Sequence, residues 1–200
     1  MNIHRKAVEL AGSGRDFALA LILATEGSTP RKAGVKAIID CDGVIFGTLG
    51  GGYVEIEVQR LAVEACKTVR PGVFDFNLDD VHATNDGPIC GGTVRVLIDP
   101  TAAKDSAAYA LASGAIELRK RGVLVTTASG ADDTEVGVHW LAADAIGDYA
   151  DFPGTGSVEA CLACEAPALF LQAGVEVFVE PVIPNPLLLI AGGGDVSFFD

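Results

Sequence analysis

Between Val35 and Val69 the chain must reverse direction, turn again on glycine and then begin a long helix, and this sequence of demands constrains the fold more than any other stretch. Val35 to Asp40 and Val44 to Thr48 flank Cys41-Asp42-Gly43, where Asp-Gly tolerates the positive φ of a tight hairpin connection. Gly47-Thr48-Leu49-Gly50-Gly51-Gly52 follows. From Tyr53 to Val69 the apolar residues Val54, Val58, Leu61, Ala62 and Ala65 recur at helical spacing, with Glu55, Gln59, Arg60 and Glu64 on the solvent side. A glycine turn that opens a helix favours anions. Ligands approach the backbone closely where no Cβ intervenes, and the unpaired N–H groups of the first turn point outward at the positive end of the helix dipole. The same glycines also suffice for a plain strand-to-helix turn, and no Gly-Lys-Ser/Thr follows to make a Walker loop.

The remaining pattern is α/β. His4 to Ala11 reads as a short helix and Asp16 to Ala24 as a buried strand ending in Glu26-Gly27-Ser28-Thr29-Pro30. Strands are expected at Val73 to Leu78, Thr93 to Ile98, Val123 to Thr127 and Val175 to Val182, with a helix from Thr101 to Arg121. Ser129 to Pro167 has weak periodicity, which suggests a hairpin near Val136 to Leu141 and an irregular remainder. After the Pro-rich joint at Pro181 to Pro186, Leu187 to Ala191 and Gly192-Gly193-Gly194-Asp195-Val196-Ser197 read as the first strand and glycine turn of a dinucleotide-binding unit. One βαβ unit takes on the order of 30 residues, more than remain before Asp200. The expectation is therefore a mixed-sheet domain over residues 1–183 and a truncated Rossmann-like start over 184–200.

A net charge of −13 would repel a phosphate backbone, which excludes duplex DNA or RNA as the expected partner. It leaves room for a small anionic ligand held in a local positive pocket. The longest apolar run, Phe17 to Ala24, is far short of the roughly 20 residues that span a bilayer. Met1 to Arg15 has charges throughout and no apolar stretch of a secretory signal, and five irregularly spaced cysteines fit reduced thiols better than a disulfide framework. Those features point to a cytoplasmic protein without membrane contact.

Three turns carry candidate chemistry. Gly27-Ser28-Thr29-Pro30-Arg31-Lys32 puts two cations in an acidic chain, and Arg31 has the forked donors that suit a phosphate or carboxylate. Gly50, Gly51 and Gly52 form the second turn. Cys90-Gly91-Gly92 places a thiol beside flexible backbone just before a strand, where reactive or metal-binding thiols are better placed than in a core. Elsewhere Cys161 and Cys164 form a C-x-x-C with no second pair at zinc spacing, and His4, His82 and His139 are scattered. No acid–base constellation for a hydrolase stands out.

Taken in order, Gly27 to Lys32, Gly47 to Glu55, Cys90-Gly91-Gly92-Thr93-Val94 and the Leu187 to Ser197 turn resemble the XdhC/CoxI family, with motifs spread over nearly the whole chain. The resemblance implies a maturation factor rather than an enzyme. It would bind molybdenum cofactor (molybdopterin), protect it while a cysteine desulfurase supplies the sulfido ligand, and assist its insertion into an apo molybdenum hydroxylase of the xanthine dehydrogenase type. By motif match it implies cofactor contacts at Gly50, Gly51, Gly52, Cys90, Gly91, Gly92 and Arg31, with Cys90 facing the metal. Tyr53 stands where many family members have cysteine, so the thiol expectation rests on Cys90. A homo-oligomer is compatible with this reading. The competing readings are an NAD(P)-binding oxidoreductase, disfavoured by the truncated turn, and a subunit completed by a separate Rossmann-domain partner.

Overall fold

A strand that is apolar at every position can be buried only if both faces of its sheet are covered. Phe17–Gly27 (β1) meets that condition, with all seven residues from Phe17 to Leu23 buried. The computed structural model describes residues 2–78, 91–129, 134–149 and 155–186. Within them β1 is the central strand of a five-stranded antiparallel sheet, ordered β3-β2-β1-β5-β4, with Lys36–Asp40 (β2), Ile45–Gly47 (β3), Gly72–Asn77 (β4) and Gly92–Asp99 (β5).

Side chains alternate across the pleat of β1. Ala18, Ala20 and Ile22 face a core shared with Val54, Val58 and Ala62 of Gly52–Thr68 (α2). The two alanines let that helix lie close to the sheet. Phe17, Leu19, Leu21 and Leu23 face the opposite way, into a core shared with Ala7 and Leu10 of Ile3–Gly12 (α1) and with Tyr109 and Ala112 of Ser106–Glu117 (α3). Each such fully buried Leu or Phe contributes about 1.5–3 kcal/mol of burial free energy.

That second core also includes Leu124 and Phe178 of a four-stranded antiparallel sheet, ordered β7-β6-β9-β8. Its strands are Gly122–Ser129 (β6), Glu135–Ala142 (β7), Ala168–Gln172 (β8) and Val175–Val182 (β9). The far face of this sheet, with Val123, Val125, Val177 and Val179, is covered by Val158 and Cys161 of Thr155–Cys164 (α4). The α/β class and the hairpin at Cys41-Asp42-Gly43 agree with the sequence reading.

Two expectations are corrected. The helix expected over Thr101 to Arg121 is divided into a 3-10 turn at Ala102–Asp105 and α3. Asp99 Oδ1 accepts from the Thr101 N–H (2.8 Å) and hydroxyl (2.7 Å), which fixes a bend between β5 and the 3-10 turn. The stretch expected to be irregular after the Val136 hairpin contains α4. Cys161 is buried and Cys164 exposed, so the C-x-x-C sits half in the core, where burial pushes the Cys161 thiol up to about 11. The strand and glycine turn expected at Leu187 to Ser197 lie outside the described residues, as do Asp79, Asp80 and His82. Among the described residues no helix is long and apolar enough to cross a membrane.

Candidate functional site

The central pairing of the first sheet brings sequence-distant turns together. β1 and β5 run antiparallel until Gly27 pairs with Gly92, and the Ser28 N–H donates to the Gly91 carbonyl at 2.8 Å. A Cβ on Gly92 would lie 2.2 Å from the Glu26 carbonyl oxygen, and one on Gly27 would lie 2.7 Å from that of Gly91. Only glycine permits so close a crossing of two backbones.

One turn further on, Gly50 rests against the same loop. A Cβ there would fall 2.9 Å from Pro30 Cβ and 3.1 Å from Arg31 Cγ. The Gly27 to Lys32, Gly47 to Gly52 and Gly91-Gly92 turns therefore meet at one end of β1. Of the residues expected to form the site, Arg31, Gly50, Gly51, Gly52, Gly91 and Gly92 converge here. Cys90 is bonded to Gly91 in the chain but lies outside the described residues.

Local chemistry holds the second turn. Leu49 is buried among the α2-side core residues and anchors it. Gly50, Gly51 and Gly52 all have positive φ (113°, 76° and 69°), and Gly51 caps α2 without a side-chain hydrogen bond. Glu55 compensates. Its Oε2 accepts from Thr48 Oγ1 (2.7 Å), the Leu49 N–H (2.7 Å) and the Gly51 N–H (3.3 Å), while Thr48 Oγ1 accepts from the Gly50 N–H at 3.0 Å. Burial opposes the charge on Glu55, but these donors and the nearby Arg31 outweigh it and hold the carboxyl below its usual range.

The turn is thus an anion site whose first anion is its own glutamate. The helical spacing placed Glu55 on the solvent side. What could have signalled its role is a carboxylate in the first turn of a helix whose N-cap has no side chain. Glu55→Ala should lower stability by about 1 kcal/mol through loss of this cap, read as a lower urea midpoint. An unchanged midpoint would mean that the glycine turn holds its shape without the carboxylate.

Arg31 is exposed beside the turn, and a Cβ on Gly51 or Gly52 would meet nothing within 4 Å. The open side of the cradle therefore offers a guanidinium and the start of a helix. Among the described residues no group of three or more His, Cys, Asp and Glu is placed to hold a metal ion.

A family model, that of the XdhC and CoxI family, matches residues 10–77, the segment containing β1, both Arg31 and Glu55, and α2. An uncharacterized protein of Escherichia coli (strain K12), YqeB, is 36% identical over 98 residues, 49% of this chain and 18% of the relative. A solved Bacillus halodurans structure described as a xanthine dehydrogenase aligns with a TM-score of 0.62 and 19% identity, over 92% of this chain and 53% of the other. At that identity it shows a shared fold. The chain spans about half the length of the solved relative and less than a fifth of the curated one. Residues 10–77, about a third of the chain, thus match the XdhC and CoxI family model, and the shared fold extends beyond that segment.

Proposed function

We propose that the chain is a maturation factor that takes molybdenum cofactor as its cargo, protects it during sulfuration and assists its insertion into a molybdenum hydroxylase of the xanthine dehydrogenase type. The observation that carries this reading is the convergence of Arg31, the Gly50–Gly52 helix start and Gly91-Gly92 at one end of β1. The family segment supports it, since two of the three turns lie within residues 10–77.

A phosphorylated pterin dithiolene has an anionic end and a thiophilic metal end. The first suits Arg31 and the N-terminus of α2, and the second suits a thiolate next to Gly91. Glu55 shapes this fit. Because its carboxylate already takes the Leu49 and Gly51 N–H groups, the anion would engage Arg31 and the open start of α2 rather than the inner donors. On this reading the partners are the apo hydroxylase and a cysteine desulfurase, and the chain itself supplies no acid–base chemistry.

Anaerobic titration with molybdenum cofactor, followed by absorbance, tests the proposal. Saturable binding is expected, weakened about tenfold in Arg31→Ala by loss of a charge-assisted hydrogen bond. In Cys90→Ala the absorption band of the bound cofactor should also shift. Failure of the wild-type chain to bind would overturn the function, whereas full binding by both variants would move the site away from this end of β1.

A further inference from the structure

Two cysteines far apart in sequence meet on the side of α2 away from the glycine turn. Cys41 is exposed in the hairpin turn between β2 and β3, and Cys66 is partly buried near the end of α2. The turn is rigid. Asp40 Oδ1 accepts from the N–H groups of Asp42 (3.1 Å) and Val44 (2.8 Å), and the Asp40 carbonyl accepts from the Gly43 N–H at 2.9 Å.

Contacts with α2 hold this turn over the helix. Gln59 Nε2 donates to the Gly43 carbonyl at 3.2 Å, and the space where Gly43 would carry a Cβ lies 3.5 Å from Val63 Cγ2. Gln59, Val63 and Cys66 occupy successive turns of one helix face. The third position places the Cys66 thiol near that of Cys41, close enough for Cys41 to perturb it.

We propose that Cys41 and Cys66 are a redox pair that closes to a disulfide when the protein meets a hydroperoxide and reopens with a thiol reductant. The exposed Cys41 sulfur attacks the peroxide oxygen, the O–O bond breaks, and with hydrogen peroxide one water leaves as Cys41 becomes a sulfenic acid. The Cys66 sulfur then attacks the Cys41 sulfur, the S–S bond forms and the second water leaves. Two thiols lose two electrons in total, and the peroxide gains them.

The environment assigns the roles. Burial, first, and then the proximity of Cys41 push the Cys66 thiol up to about 12, so Cys66 stays protonated and does not meet the peroxide first; it acts only in the second step, where its proton leaves with the second water. The bond would fasten the β2–β3 turn to α2, the helix whose N-terminus carries Gly50–Gly52.

The test is oxidation of the full chain with stoichiometric hydrogen peroxide, an alkylating quench, and mass spectrometry of tryptic peptides without reduction. Cleavage after Lys36, Arg60 and Lys67 separates the two cysteines onto different peptides. A dithiothreitol-reversible cross-link between residues 37–60 and 61–67 is expected as the main product. In Cys41→Ser, whose change is at an exposed turn, loss of the free Cys66 thiol should slow about tenfold. In Cys66→Ala, a second equivalent of peroxide should carry Cys41 on to sulfinic acid. The proposal is overturned if wild-type Cys41 accumulates as sulfinic acid beside a free Cys66, if either cysteine pairs mainly with another one, or if Cys66 oxidises at the wild-type rate in Cys41→Ser.

Discussion

Lys36→Met alone should destabilise the folded chain by about 3–5 kcal/mol, Glu180→Leu alone should do the same, and the two together should recover most of the loss. Lys36 is on β2 of the five-stranded sheet and Glu180 on β9 of the four-stranded one. Their side chains are only 4% and 8% exposed, and Lys36 Nζ donates to both carboxylate oxygens of Glu180. Removing either partner leaves the other charge buried without a counterion. That penalty is what the single variants measure. Replacing both returns two apolar groups to a largely apolar environment, where burial offsets much of what the ion pair supplied. A surface pair gives the contrast: Arg5 and Glu117 lie 3.8 Å apart with side chains 76% and 63% exposed. Glu117→Ala should shift stability by about 0.5 kcal/mol or less. Urea unfolding of the four variants at neutral pH checks the set, and single variants within about 1 kcal/mol of wild type would show that the pair opens to water.

The way such a pair escapes sequence reading shows where legibility stops. Asp16 to Ala24 is readable as a strand because burial on both faces demands a long apolar run, and Asp42-Gly43 marks the hairpin between β2 and β3 because few residue pairs accept that backbone. The spacing from Val54 to Ala65 announced α2. All of these are local signals. By contrast Lys36 and Glu180 have no neighbour in sequence that marks them as buried, and each resembles an ordinary solvated charge until the two sheets are placed. The same holds for the site. Its glycine turns were each visible, but their convergence depends on Gly27 pairing with Gly92 and on Gly50 packing against Pro30. Glu55 looked like a solvent-side helix position because periodicity registers only the core face. α4 and β8 were missed for a different reason. Thr155–Cys164 is rich in small residues and has no marked apolar stripe, and Ala168–Gln172 is a short edge strand without alternation. Thr101 to Arg121 misled in the opposite direction, since helix-forming residues run through a bend that Asp99 imposes from the preceding strand.

Acid should destabilise the wild-type chain through His4, and His4→Phe should remove that sensitivity. The His4 ring stacks on the fully buried Tyr109, with centroids 6.0 Å apart and planes 11° from parallel, and both ring nitrogens are buried without a hydrogen-bond partner. Burial, and then the positive charge of Lys36, lower its pKa from 6.5 to about 3. Below pH 6.5 the unfolded chain takes up a proton that the folded chain refuses until about pH 3. The stabilisation is therefore fully present above pH 6.5 and is lost as pH falls through that window, reaching on the order of 4 kcal/mol at its lower end. At pH 5 the share from His4 is about 2 kcal/mol. Phenylalanine keeps the stacked ring, leaves no polar atoms to satisfy and has no proton to gain. Urea midpoints measured for both proteins at pH 7.5, 6 and 5 should diverge progressively, with the wild type falling more steeply. Parallel slopes would mean that the imidazole takes up its proton in the folded chain at its ordinary pKa. In that case a path to water must reach the space between His4 and Lys36, and the ion pair with Glu180 would be less sealed than its burial indicates. The acid titration of His4 and the single-variant losses at Lys36 and Glu180 therefore measure the same property, the dryness of the seam where α1 and the two sheets meet.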